Sequence, residues 1–131
     1  MAIALILLMG TLYTAEAGKS LVIRLVLAHN TSEKVHKGLA DVQKTLTENL
    51  PYTGFDLQDQ KRLPLPGGGQ VQMRHNIKLT ASGGQESLTV RVRQKRRPFV
   101  NTTLKLTDGR PVILGGIPSK RGRLLVVIIA R

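Results

Sequence analysis

The chain has 131 residues and carries 20 Lys and Arg against 8 Asp and Glu, a formal net charge of +12, with no cysteine. Disulfides, thiol chemistry and cysteine-based metal sites are thereby excluded, so a single modest hydrophobic core must hold the domain together. The excess positive charge favours anionic partners, while an aromatic content of 3% leaves no stacking platform for single-stranded nucleic acid or sugar rings.

Met1 to Met9 is an unbroken apolar run, and Ala15-Glu16-Ala17 is a small-x-small cleavage pattern followed by polar Gly18-Lys19-Ser20. The run is shorter than the roughly 20 residues that span a bilayer, and it fits the apolar region of a secretory signal peptide. No Lys or Arg precedes it, so the α-amino group alone supplies positive charge at its start. A misassigned start codon, or an ordinary N-terminal strand or helix, are the alternatives. The expectation is a signal peptide over residues 1–17, a single mature domain over 18–131, and export to the periplasm or cell envelope.

Leu21 to Ala28 is almost wholly apolar and rich in β-branched residues, the pattern of a strand buried on both faces. Leu39, Val42, Leu46 and Leu50 then trace one face of a helix that Pro51 ends. After Pro51 the chain reads as strands and turns. Phe55 to Leu65 is extended, Pro66 to Gly69 predicts a turn, and Gln70–Arg74 and Asn76–Ala81 predict short strands. Ser82 to Gln85 predicts a second turn. Ser87 to Gln94 alternates, with Leu88, Val90 and Val92 on one face and Thr89, Arg91 and Arg93 on the other. Lys95 to Pro98 connects to Phe99–Thr107, and Asp108-Gly109 predicts a hairpin turn. Arg110–Gly115 and Gly122–Ala130 form the last expected pair, and Leu124–Ile129 is the most buried-looking stretch. Val90, Val92, Leu104, Val126 and Ile128 are expected in the core.

Catalytic patterns are sparse. Asp56 and Asp59 stand three apart in an extended segment and so point to opposite faces; no serine sits in a nucleophile elbow, and no base stands beside a nucleophile. His29, His36 and His75 lack metal-ligand spacing and read as surface or loop residues. Gly115-Gly116-Ile117-Pro118-Ser119-Lys120 lacks the ending of a phosphate-binding loop, and the other Gly-Gly pairs read as turns. No enzyme, cofactor or metal is expected.

The basic residues are distinctive for where they fall. Lys78, Arg91, Arg93 and Lys105 are placed on the polar faces of neighbouring strands, Lys95-Arg96-Arg97 at one end, and Lys120, Arg121 and Arg123 in the last loop. From Ser87 onward the only acid is Asp108. A mixed Lys/Glu face would guard a sheet against edge pairing equally well, so the single-sign bias leaves room for an anion-facing surface.

The segment Thr102 to Ile117, with Asp108-Gly109, the aliphatics Val112-Ile113-Leu114 and Gly115-Gly116-Ile117, precedes the apolar Leu124–Ile129. It resembles the strand–turn–strand near the end of bacterial secretins. The mature chain as a whole is similar to small exported bacterial envelope domains. The secretin resemblance implies envelope assembly or secretion machinery.

The combined expectation is an α+β domain, mainly antiparallel β, with about seven strands in one sheet or a sandwich and one helix. It would be exported and non-catalytic, acting through an envelope protein partner as an accessory or assembly factor in secretion or pilus-like machinery. The alternative is a binding module for an anionic ligand such as lipopolysaccharide, a lipid head group or an acidic polymer. Export disfavours nucleic acid.

Overall fold

The computed structural model describes residues 19–131, so the expected leader over residues 1–17 and the expected mature start at Gly18 lie outside the described residues. Strand β1 (Ser20–His29) pairs antiparallel with both β2 (Gly54–Pro64) and β8 (Gly122–Ala130), and β8 pairs with β7 (Val112–Ser119), giving the order β2-β1-β8-β7. A second four-stranded sheet is the meander β3 (Gly67–Met73), β4 (Ile77–Gly84), β5 (Ser87–Gln94) and β6 (Arg97–Leu104). Among the described residues one short α-helix, α1 (Gln43–Asn49), completes an α+β fold of two antiparallel sheets. No helix among the described residues is long and apolar enough to cross a membrane.

Two cores explain the hydrophobic pattern. Leu21, Ile23, Leu25 and Leu27 of β1 stand opposite Ala130, Ile128, Val126 and Leu124 of β8 and face the second sheet's Ile77, Leu79, Leu88, Val90 and Val92. The alternate residues Val22, Val26, Ala28, Leu125, Val127 and Ile129 pack under Leu39, Val42 and Leu46. β1 and β8 therefore lie between two apolar layers and read as continuous apolar runs. The second sheet has a core on one face only, and its strands alternate. The expected core residues Val90, Val92, Val126 and Ile128 are fully buried, and Leu104 packs against the same cluster half-exposed.

The helix is shorter than its apolar spacing suggests. Leu39 ends a 3₁₀ turn over Lys37–Leu39, in which His36 Nδ1 accepts from the Gly38 N–H, and α1 begins only at Gln43. No side chain caps the start of α1 at Val42, so the segment winds in two pieces while the same apolar face is kept. Arg24 interrupts the apolar run of β1 on this side. It is 6% exposed, donating to Gln60 at 3.0 Å and pairing with Asp41 at 2.7 Å. Burial pushes the Asp41 carboxyl up, but Arg24 and Arg131, which both bond it, prevail and hold it below the ordinary carboxylate value.

Bulges let single strands serve both cores. In β7 the register slips at Gly116, so Val112, Leu114 and Ile117 all turn toward the sheet–sheet core. Gly115 and Gly116 adopt φ of 118° and 104°, which a side chain would strain, and this fixes the role of the Gly-Gly pair as a bulge. In β2 the extra residue is Gln58, which puts Phe55 and Leu57 under the helix and Leu63 in the other core.

Three local expectations are corrected. Pro66–Gly69 and Ser82–Gln85 are not whole turns: Gly67, Gly68 and Gly69 pair with Gly83, Ser82 and Ala81, and the reversals narrow to Leu65-Pro66 and Gln85-Glu86. Glycine serves close approach here, since a Cβ on Gly68 would lie 2.2 Å from the Ala81 carbonyl oxygen. Asp108-Gly109 does turn the chain, but it joins β6 to β7 in the other sheet and is not a hairpin. Leu106, buried in the core, anchors that crossover, with its N–H donating to the Gln85 carbonyl at 2.8 Å and Gln85 reaching back to Asp108. β2 touches β3 and β6 touches β7, so the strands follow one another in a ring whose ladders are interrupted at those two seams.

Candidate anion-binding surface

The alternation that buries Leu79, Val90 and Val92 turns every second residue of the second sheet to the outside. Cross-strand register arranges these residues in rungs: Gln72–Lys78–Arg93, Gln70–Thr80–Arg91–Asn101, and Ser82–Thr89–Thr103. None of these ten residues is acidic, apolar or aromatic. The Thr89 and Thr103 hydroxyls meet at 3.2 Å, and a shallow hollow of about 200 Å³ opens among Thr80, Ser82, Thr89 and Arg91. Lys78 stands directly opposite Arg93. Like charges at facing positions destabilise a sheet, and no ion pair among the described residues involves Lys78, Arg91 or Arg93.

The face continues into a larger hollow at the sheet's end. The β3–β4 turn (Arg74–Asn76) and the β5–β6 turn at Lys95-Arg96 border an open hollow of about 900 Å³, lined by His75, Asn76, Gln94, Lys95, Arg96 and Arg97. Lys95, Arg96 and Arg97 form no ion pair among the described residues.

The remaining basic candidates lie elsewhere. Lys105 is at the opposite end of this sheet, 3.6 Å from Glu86. Lys120 and Arg121 form the β7–β8 turn of the other sheet, and Arg123 donates to the Gly116 carbonyl at 3.0 Å.

Three carboxylates are engaged away from the open face. Asp41 is held by Arg24 and Arg131, and Asp59 accepts from the Gln60 and Arg74 backbone N–H groups. Asp108 is bonded by Lys19 and Gln85, and Lys19 foremost holds its carboxyl below the ordinary value. Among the described residues no cluster of three His, Cys, Asp or Glu is placed to hold a metal.

His29 corrects the surface reading of the histidines. It is 5% exposed; its Nε2 lies 3.1 Å from Asp56 Oδ2, and its Nδ1 lies 2.9 Å from Thr31 Oγ1 and accepts from the Thr31 N–H at 3.3 Å. A base thus does stand beside a hydroxyl, contrary to expectation. Its Nδ1 is shared with a backbone N–H two residues on, the geometry of a side-chain-capped turn. Gly54 leaves room for the ring, since a Cβ there would lie 2.3 Å from His29 Cε1. His29 clasps the end of β1 to the start of β2. The chain matches no family model, no curated protein and no solved structure.

Proposed function

We propose that the domain binds an acidic glycan across the outer face of the β3–β6 sheet. The facing pair Lys78–Arg93, beside Arg91, carries this reading: it costs the fold stability and gains nothing until an anion neutralises it. The Thr, Ser, Asn and Gln side chains around it suit a polyhydroxylated chain, and the lack of outward aromatics counts against stacked bases and stacked sugar rings alike, so the glycan is held by charge and hydrogen bonds. In this reading the apolar run and Ala15-Glu16-Ala17 export the protein, placing it in the cell envelope beside phosphorylated lipopolysaccharide and other acidic polymers.

Binding of purified lipopolysaccharide by the mature chain tests this. Between about 0.05 and 0.5 M salt the screening length falls from about 14 to 4 Å, and affinity should fall at least tenfold. The variant K78Q/R91Q/R93Q should lose about tenfold or more at low salt while its thermal midpoint holds or rises slightly as the Lys78–Arg93 repulsion is removed. Equal binding by parent and variant sinks the reading.

One observation favours the second reading, assembly by protein contact. Phe99, Val100, Leu104, Val112 and Leu114 are half-exposed on β6 and β7, the two strands flanking an interrupted ladder. An apolar contact there would tolerate the same rise in salt.

A further inference from the structure

The hollow at the end of the open sheet is built more tightly than a merely solvated basic loop requires. His75, Asn76 and Lys95 adopt left-handed φ of 62°, 61° and 57°. Asn and His tolerate that region better than most residues, whereas lysine is unusual there. The two turns are tied together: the Lys95 N–H donates to the Asn76 carbonyl at 3.1 Å, and Gln94 Nε2 donates to the His75 carbonyl at 3.1 Å. His75 Nε2 is also 3.0 Å from Gln58 Oε1, which the β2 bulge aims at it. The backbones of the two turns are thus tied together, with Lys95, Arg96 and Arg97 lining the hollow between them, and the carboxylate of Asp59 is turned to backbone N–H groups.

We propose that this hollow takes a tetrahedral oxyanion, the phosphate or sulfate monoester of an acidic glycan lying on the open sheet. The assignment rests on the glycan reading above and narrows it to phosphorylated or sulfated chains over those bearing carboxylates alone. Lys95, Arg96 and Arg97 meet at one hollow, where a single carboxylate would need one cation. Arginine's planar fork takes paired oxygens of a carboxylate, a phosphate or a sulfate alike, but the three terminal oxygens of a phosphate or sulfate ester offer several gathered cations a partner each, where a carboxylate has only two. His75, Asn76 and Gln94 add polar rims without negative charge.

The test follows backbone amide resonances of the full chain while inorganic phosphate, inorganic sulfate or acetate is added at matched ionic strength. Phosphate and sulfate should shift the amides of 75–76 and 94–97 and bind about tenfold or more tighter than acetate. R96Q/R97Q should abolish these shifts, K95G should weaken binding while its glycine relieves the left-handed strain, and K78Q/R91Q/R93Q should leave them intact. Phosphorylated lipopolysaccharide, sulfated heparin and carboxylate-only polygalacturonate then identify the ester: the tighter of the first two names it, and both should outbind the third. Acetate binding as well as the tetrahedral ions, shifts scattered over the surface, or an unaltered R96Q/R97Q overturns the proposal. If the ions do not bind but lipopolysaccharide still does through Lys78, Arg91 and Arg93, this inference falls and the glycan reading stands. If the ions bind but no glycan does, the glycan-ester assignment is overturned together with the glycan reading.

Discussion

The two sheets have the same number of strands and the same antiparallel pairing, yet their sequences are written under different constraints. The sheet containing β1 and β8 is covered by the second sheet on one face and by the Leu39–Leu46 segment on the other. Its central strands have almost no positions free of packing, and their one charged interior residue, Arg24, is tied to Gln60 and Asp41. The β3–β6 sheet is covered once. Its outer face could carry any soluble residue, and it carries an acid-free, Arg- and Thr-rich selection, for which the proposed glycan binding would account. Residue choice reports on packing in one sheet and, under the proposed function, on a ligand in the other.

The largest expected effect tests the covered sheet. Leu25→Ala, at a fully buried position, should lose about 3–4 kcal/mol in a denaturant titration through lost transfer energy and a residual cavity. A loss below about 1 kcal/mol would mean that β1 is not the centre of the fold. Arg24→Ala should cost about 2–3 kcal/mol, because Gln60 and Asp41 lose their buried partner. If Arg24→Ala matched a surface substitution, the contrast between the sheets would collapse.

Acid should act through Asp41 of this cluster and, separately, through Asp108 beside Lys19. Asp41 and Asp108 have folded pKa values below the unfolded value near 3.8, so their stabilisation is present above that pH and is lost as pH falls through the lower folded values. Urea midpoints should therefore drop below about pH 4, and the gap between the parent and Asp41→Asn should narrow in that window. A gap that stays constant down to about pH 2 would remove Asp41 from the account.

The smallest expected effect has the opposite sign and is the sharpest for the open sheet. Arg93→Glu converts a repulsive facing pair into an attractive one and should raise stability by about 0.5 kcal/mol while weakening glycan binding. A destabilised Arg93→Glu would mean that the repulsion is relieved within the fold and needs no ligand.

Much of this architecture was legible in the chain. Ser87–Gln94 is found at its expected bounds because one face is core and the other water, which forces a clean period of two. The runs Leu21–Ala28 and Leu124–Ile129 announced strands covered on both faces. The glycine segments misled because glycine marks both a reversal and a backbone that another strand must approach closely, as Gly68 and Ala81 show. The candidate site was legible in part. Lys78, Arg91 and Arg93 fall on the outer face as their alternation requires, whereas Lys105 drifts to Glu86 at the far end.

Local order in the chain determined what depends on near neighbours: strand periodicity, the apolar face of the helical segment, the reversal at Asp108-Gly109 and the basic bias after Ser87. Only the tertiary structure decided what depends on residues far apart in sequence. It sent Asp108-Gly109 across to the other sheet, because turn chemistry reverses a chain without choosing its next partner. It buried His29 against Asp56, 27 residues away, and it joined His75 to Gln94 and Asn76 to Lys95 around one hollow. Sequence spacing encodes which face a side chain takes along its own strand, and long-range packing alone determines which strand stands beside it.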